Sequence, residues 1–352
     1  MDILKMTLFC MLSVLLTEPA SKDIILPSEK VTTIANTKCA VATVANSIIY
    51  QSKDGGQTWQ DISQSLPANV QPEGFYASES LVYLRLKNDL YRSKNSLKEM
   101  AWEKENGLTL ESPSIAFNRA GIVAYNYDGE IYSKTTTDKA WTPAYTNSKK
   151  HSLQSFFETT DGTLFLGTGN GLYKSSDKGK SWKQVQRDGW VMDIVESEGV
   201  LIGTGQKGIM RSTDKGEHWE WIISEGGVGI AVEKITGGFA AIVYNGSKQS
   251  RIMYTSLDYG KTWRSVNGTL EPSSVISSIK QVGNYLLCGH PDGVYRSADM
   301  GGTWQLVQPS VAERKLVFVP TWNTATYKDP DKVFKLFVAG NIIYAVAVNA
   351  GC

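Results

Sequence analysis

Apolar and polar positions alternate along this chain in short runs closed by Gly, Asn, Asp or Ser, a pattern that predicts strands joined by tight turns and no helix. Seven times an apolar pair ends such a run: Ile49-Tyr50, Leu90-Tyr91, Ile131-Tyr132, Leu172-Tyr173, Ile209-Met210, Met253-Tyr254 and Val294-Tyr295. Five of these pairs are followed by one recurring box that starts at Ser, carries Asp at its third place and Gly at its fifth, and ends on Trp. The intact boxes run Ser52 to Trp59, Ser175 to Trp182, Ser212 to Trp219, Ser256 to Trp263 and Ser297 to Trp304, with Asp54, Asp177, Asp214, Asp258 and Asp299 as their carboxylates. Two worn copies, Ser93 to Trp102 and Ser133 to Trp141, lack the Gly. A spacing of about 40 residues between the seven tryptophans marks a repeat array. Each box reads as a hairpin staple. Asp and Ser bind turn amides, Gly takes a positive φ, and the Trp covers the hairpin it closes.

Four short strands per repeat predict an all-β fold, a single β-propeller of seven four-stranded blades. The first blade is expected at Lys30–Asn36, Cys39–Ala45, Ser47–Ser52 and Thr58–Ile62. The first strands of the others are expected at Gly74–Ser78, Ser114–Arg119, Gln154–Thr159, Val191–Glu196, Val228–Ile235 and Val275–Val282. Residues 309–329 read as an irregular excursion. The apolar hairpin over 333–348 then has two readings. It either pairs with the first blade, displacing Lys30–Asn36, or begins an incomplete eighth blade.

The recurring boxes resemble the Asp-box, or BNR, repeat of sialidases, sortilin-type receptors, xyloglucan hydrolases and photosystem II assembly factors. In those proteins the boxes lie at the propeller periphery, so the resemblance implies fold rather than chemistry. Sialidases also carry an Arg-Ile-Pro motif before the first box and three arginines around the substrate carboxylate. This chain has no Arg-Ile-Pro, and no arginine precedes Ser52. Xyloglucan hydrolases place a cleft between two propellers in a chain about twice as long. By single-ring layout and missing catalytic residues, the sequence is most similar to the photosystem II assembly-factor branch, whose members are non-enzymatic scaffolds that bind proteins.

Net charge is +1, from 36 basic and 35 acidic residues, which argues against nucleic acid or an anionic membrane surface as partner. Residues 1–21 differ from the rest: Lys5 precedes an apolar run from Met6 to Leu16, too short to span a bilayer and suited to a signal peptide. A secreted or periplasmic protein is therefore expected, with the propeller over 22–352 and no transmembrane segment. In that compartment Cys39 and Cys352 could pair across the ring closure; separate thiols, with Cys39 and Cys288 buried in strands, are the other reading. No Cys/His pair has metal-ligand spacing, so neither metal nor cofactor is expected. Asn245-Gly246-Ser247 and Asn267-Gly268-Thr269 match the glycosylation sequon.

First strands line a propeller's channel, so the candidate binding face comprises Glu73, Tyr76, Arg119, Glu158, Trp190, Asp193, Glu233 and Lys234, with Glu196 and Lys280 beside them. Such a mixture suits a protein or carbohydrate ligand held by a monomer. The competing enzyme reading needs two carboxylates facing each other, and Asp193 with Glu233, or Glu158 with Asp193, lie on neighbouring first strands. A lyase would use His151 or Tyr76 as base; His218, inside a box, and His290, before Pro291-Asp292-Gly293, read as structural. The glycine-rich stretches at 167–171 and 203–205 occupy the same place in their repeats and have no following helix, so they read as turns.

Overall fold

The computed structural model describes residues 47–350 apart from 65, 68, 69, 95–99, 136, 137, 139, 146–151, 311–314, 320–323, 329 and 330; for 315–319 and 324–328 only the strands are described. Seven four-stranded antiparallel sheets form a closed ring, and no helix occurs among the described residues. Six sheets follow the chain in order, beginning with Gly74–Ala77, Leu81–Leu86, Asp89–Lys94 and Glu103–Lys104 and ending with Ser278–Val282, Tyr285–His290, Gly293–Ser297 and Gln305–Pro309. The remaining sheet is composite. Lys332–Ala339 and Ile342–Asn349 are its two inner strands, and Ile49–Ser52 and Gln60–Asp61 its two outer ones.

The C-terminal hairpin therefore closes the ring on the first blade, and there is no eighth blade among the described residues. The strands expected at Lys30–Asn36 and Cys39–Ala45, the leader over 1–21, Cys39 and Cys352 all lie outside the described residues. One expectation is corrected. Residues 309–329 are not an irregular excursion throughout but contain a hairpin, Lys315–Val319 on Thr324–Lys328, with Pro320 in the sequence just past its first strand.

The intact boxes fold alike. In the first, Ser52 Oγ donates to Asp54 Oδ1 at 2.8 Å and accepts from Gly56 N at 2.9 Å, while Thr58 Oγ1 donates to Asp54 Oδ2 at 2.6 Å. The fifth-place glycines have φ between +77° at Gly216 and +91° at Gly301, so the expected left-handed conformation is present. A second reason for glycine was not visible in the sequence. A Cβ would strike the preceding blade: Leu287 Cδ2 at 2.5 Å from Gly56, Tyr145 Cδ1 at 2.2 Å from Gly179, and Phe165 Cζ at 2.5 Å from Gly216. The box is thus a seam between blades as well as a staple. Trp219, for example, meets Phe165 of the preceding blade edge-on with ring centroids 6.3 Å apart. None of the five box tryptophans lines the channel cavity.

Where the boxes are worn, a different device holds the seam. Burial alternation puts Lys134, rather than Ser133, in the box serine's place. Its Nζ sits 2.7 Å from Glu105 Oε1 of the preceding blade, with both side chains almost wholly buried. Trp141 Nε1 donates to the same oxygen at 3.2 Å, and Lys134 Nζ lies 4.9 Å from the Trp141 ring centroid. A buried ion pair replaces the Ser–Asp–Gly turn there.

Candidate functional site

Antiparallel order sends the boxes and the first-to-second strand turns to one rim of the ring. The second-to-third turns and the connections between blades go to the other rim, which forms the mouth of the channel. The channel holds a cavity of about 790 Å³ lined by first strands of all seven blades.

Three consecutive first strands carry a one-residue bulge at the same position. The ladder skips Gln154 between Leu153 and Ser155, Met192 between Val191 and Asp193, and Ile230 between Gly229 and Ala231. A bulge puts two successive residues on one face where a regular strand would put one. The signal was available in the sequence: wall positions Leu153 and Phe156, Val191 and Ile194 stand three apart instead of two. The consequence is that Met192 and Asp193 both line the cavity, with Met192 49% exposed.

Asp193 is the centre of the charged part of the channel. Enclosure by the ring pushes its carboxyl up to about 6; Lys280 opposes this, Glu233 adds to it, and Lys335 opposes it more weakly. Its side chain is nonetheless open to the water of the channel, which limits the shift, so the upward direction is what bears on function. Its Oδ1 accepts from Ile194 N at 2.9 Å. Glu233 is occupied by Lys280, whose Nζ hydrogen-bonds Glu233 Oε2. Burial, and then the charges of Tyr76 and Asp193, raise the Tyr125 hydroxyl, which stays protonated as a donor.

The other sequence-predicted site residues separate into groups. Glu73 and Tyr76 line the cavity. Trp190 stands half-buried in the connection leading to Val191, on the mouth side, and does not line it. Arg119, Glu158 and Glu196 lie at the box rim, away from the mouth. There Glu158 Oε2 accepts from Arg119 N at 3.4 Å and Glu196 Oε2 from Thr160 N at 2.6 Å, so both carboxylates stitch neighbouring blades. Lys234 is exposed near the same rim. The pairing of Glu158 with Asp193 across a cleft is corrected accordingly, because Glu158 ends its strand on the wrong side. Arg85, on the second strand Leu81–Leu86, also reaches the mouth: its Nη1 donates to Ser112 O at 2.8 Å and its Nη2 to Glu73 O at 3.0 Å.

His218 and His290 are structural. His218 Nδ1 lies 2.6 Å from Asp214 Oδ2 in its box, and His290 is fully buried with Nε2 2.9 Å from Glu271 O. His151 lies outside the described residues. Both sequon asparagines are built into the fold: Asn245 Nδ2 bonds Glu225 Oε2, and Asn267 Oδ1 accepts from Met253 N at 2.8 Å. Cys288 is a buried free thiol in a second strand. Among the described residues no cluster of His, Cys, Asp or Glu is arranged to hold a metal ion, and no helix is long and apolar enough to cross a membrane.

Ring, boxes and channel together define a seven-bladed Asp-box β-propeller. Residues 172–185 match the BNR-Asp box repeat by sequence, and no curated protein matches the chain. Solved structures share the fold at low identity. A GH74 xyloglucanase from Xanthomonas campestris superposes with TM-score 0.57 and 14% identity over 83% of this chain and 56% of its own. YCF48 bound to D1 peptide gives TM-score 0.52 and 16% identity over 82% and 95%. A catalytically inactive virginiamycin B lyase from Staphylococcus aureus with quinupristin gives 0.54 and 12% over 85% and 99%. The chain thus spans little more than half of the xyloglucanase it resembles.

Proposed function

We propose that this protein is a non-enzymatic binding propeller that holds an extended segment of a partner protein in the mouth of its channel. The observation that carries the reading is the bulged strand at Val191–Ser197, which sets an exposed Met192 beside the Asp193 carboxylate. Flexible apolar side chains next to separated charges suit a peptide, whose side chains alternate in the same way. Tyr127, 63% exposed on a mouth-side turn, extends the contact surface. The structural likeness to YCF48 bound to a peptide supports the same reading by analogy. Export after removal of residues 1–21, and a monomeric state, belong to the proposal; N-terminal sequencing and light scattering of the secreted product test them.

A second reading is favoured by Asp193 itself, since a carboxyl raised above the usual carboxylate range beside Glu233 has the character of a general acid. Against it, Glu233 is engaged by Lys280 and is poorly placed to act as nucleophile or base. One experiment separates the two. The purified protein is screened against immobilised peptide libraries and, in parallel, against polysaccharides and aryl glycosides. Peptide binding weakened several-fold by Met192→Ala, with no turnover, supports the binding propeller. Sugar release abolished by Asp193→Asn overturns it.

A further inference from the structure

We propose that the channel recognises an alkyl cation, the side chain of a lysine or arginine in the bound segment, with Asp193 as its counter-ion and Met192 and Ile230 as the apolar walls for its stem. The inference rests on the peptide reading above and names the residue the site selects. Among the described residues, Asp193 makes no ion pair within 4 Å, whereas its neighbour Glu233 is held by Lys280. Four titratable groups interact with it. Lys280 faces it from the blade beginning at Ser278, Glu233 from the strand Gly229–Ile235, and Lys335 from the closing strand. Tyr125, whose hydroxyl burial keeps protonated, also interacts with it. Lys280 already serves Glu233, and Lys335 acts on Asp193 from beyond ion-pair distance, so the Asp193 carboxylate keeps a place for a close cation. A cation arriving in the cavity supplies what the ring does not.

The walls fit the rest of such a side chain. Consecutive bulges place Met192 and Ile230 in the cavity on either side of Asp193. Lysine and arginine carry their charge at the end of an apolar stem, so they bury methylenes against such walls while the head reaches a carboxylate. A glutamate carboxylate brought beside Asp193 would meet a like charge there.

Fluorescent hexapeptide sub-libraries with lysine, arginine, norleucine or glutamate fixed at one position are titrated into the full-length protein, with cadaverine as competitor. At pH 7.5 the lysine or arginine pool is expected to bind about tenfold more tightly than the norleucine pool, the size of one charge-assisted contact. Cadaverine is expected to displace it. The preference is expected to fall on acidification, beginning above the usual carboxylate range, as Asp193 takes up a proton while the ligand stays charged. Asp193→Asn, checked for an unchanged melting temperature, is expected to abolish the preference and its pH dependence, and Asp193→Glu to retain both. A lysine preference that survives in Asp193→Asn overturns the assignment, as does preference for the glutamate pool. Equal binding of all four pools overturns the cation inference alone and leaves peptide binding standing. Binding of none overturns the peptide reading as well.

Discussion

Within each box, glycine and aspartate answer different constraints, and substitutions separate them. Gly216 sits at φ +77° with Phe165 Cζ 2.5 Å from where a Cβ would be, so Gly216→Ala adds backbone strain and a clash together. We expect a loss of about 1–3 kcal/mol in urea denaturation. The residue before the box glycine is also left-handed, with φ of +60° at exposed Lys178. Lys178→Gly is expected to gain up to about 1 kcal/mol by relieving a strained non-glycine position. The carboxylates of Asp177 and Asp299 are held near 2, the first chiefly by the Ser181 hydroxyl and the second chiefly by Thr303 N–H. Because their folded values lie below their unfolded ones, the stability they confer is complete above the ordinary carboxylate range. It is lost as pH falls from about 4 to about 2. Urea midpoints measured across that window should decline, and less steeply in Asp177→Asn.

Whole strands and seams obey the same logic with larger stakes. Between the second and third blades, the Lys134–Glu105 pair takes the place of a box. Removing one partner leaves the other charge buried, so Lys134→Ala is expected to cost about 3–5 kcal/mol. Replacing both, as Lys134→Met with Glu105→Leu, is expected to restore most of that loss, and a double-mutant cycle by chemical denaturation checks it. The sequence suggested a worn box at Ser133 because serine is the box's first residue. Burial alternation shifts the frame by one, and only the neighbouring blade supplies the glutamate that explains the lysine.

For the molecule as a whole, closure is the decisive event. The strands Lys332–Ala339 and Ile342–Asn349 enter the largest apolar cluster, with Phe334, Tyr344 and Val346 fully buried. Buried serines pin them to the seventh blade of the ring: Ser278 Oγ accepts from Leu336 N at 2.9 Å, and Ser277 Oγ donates to Phe334 O. Ser278→Ala strands a buried N–H and is expected to cost about 1–3 kcal/mol. Deleting residues 331–352 leaves Ile49–Ser52 and Gln60–Asp61 without inner strands. We expect that chain to lose its cooperative urea transition and to bind hydrophobic dyes; retention of both sharp unfolding and native near-UV signal would contradict closure as described.

Read alone, the sequence determined most of the strands, the repeat and the turn chemistry of the boxes, because each depends on residues close to one another along the chain. It also placed Tyr76, Asp193, Glu233 and Lys280 on first strands, and Glu73 just before one. Tertiary structure decided the rest. Which end of a first strand faces the mouth depends on ring order, and this removed Arg119, Glu158 and Glu196 from the site and brought in Arg85. The charges of Glu233, Lys280 and Lys335 around Asp193, the choice between closure and an eighth blade, and the seam contacts of the box glycines all involve atoms from different blades. Such contacts exist only once the ring has closed, so no local pattern of residues can encode them by itself.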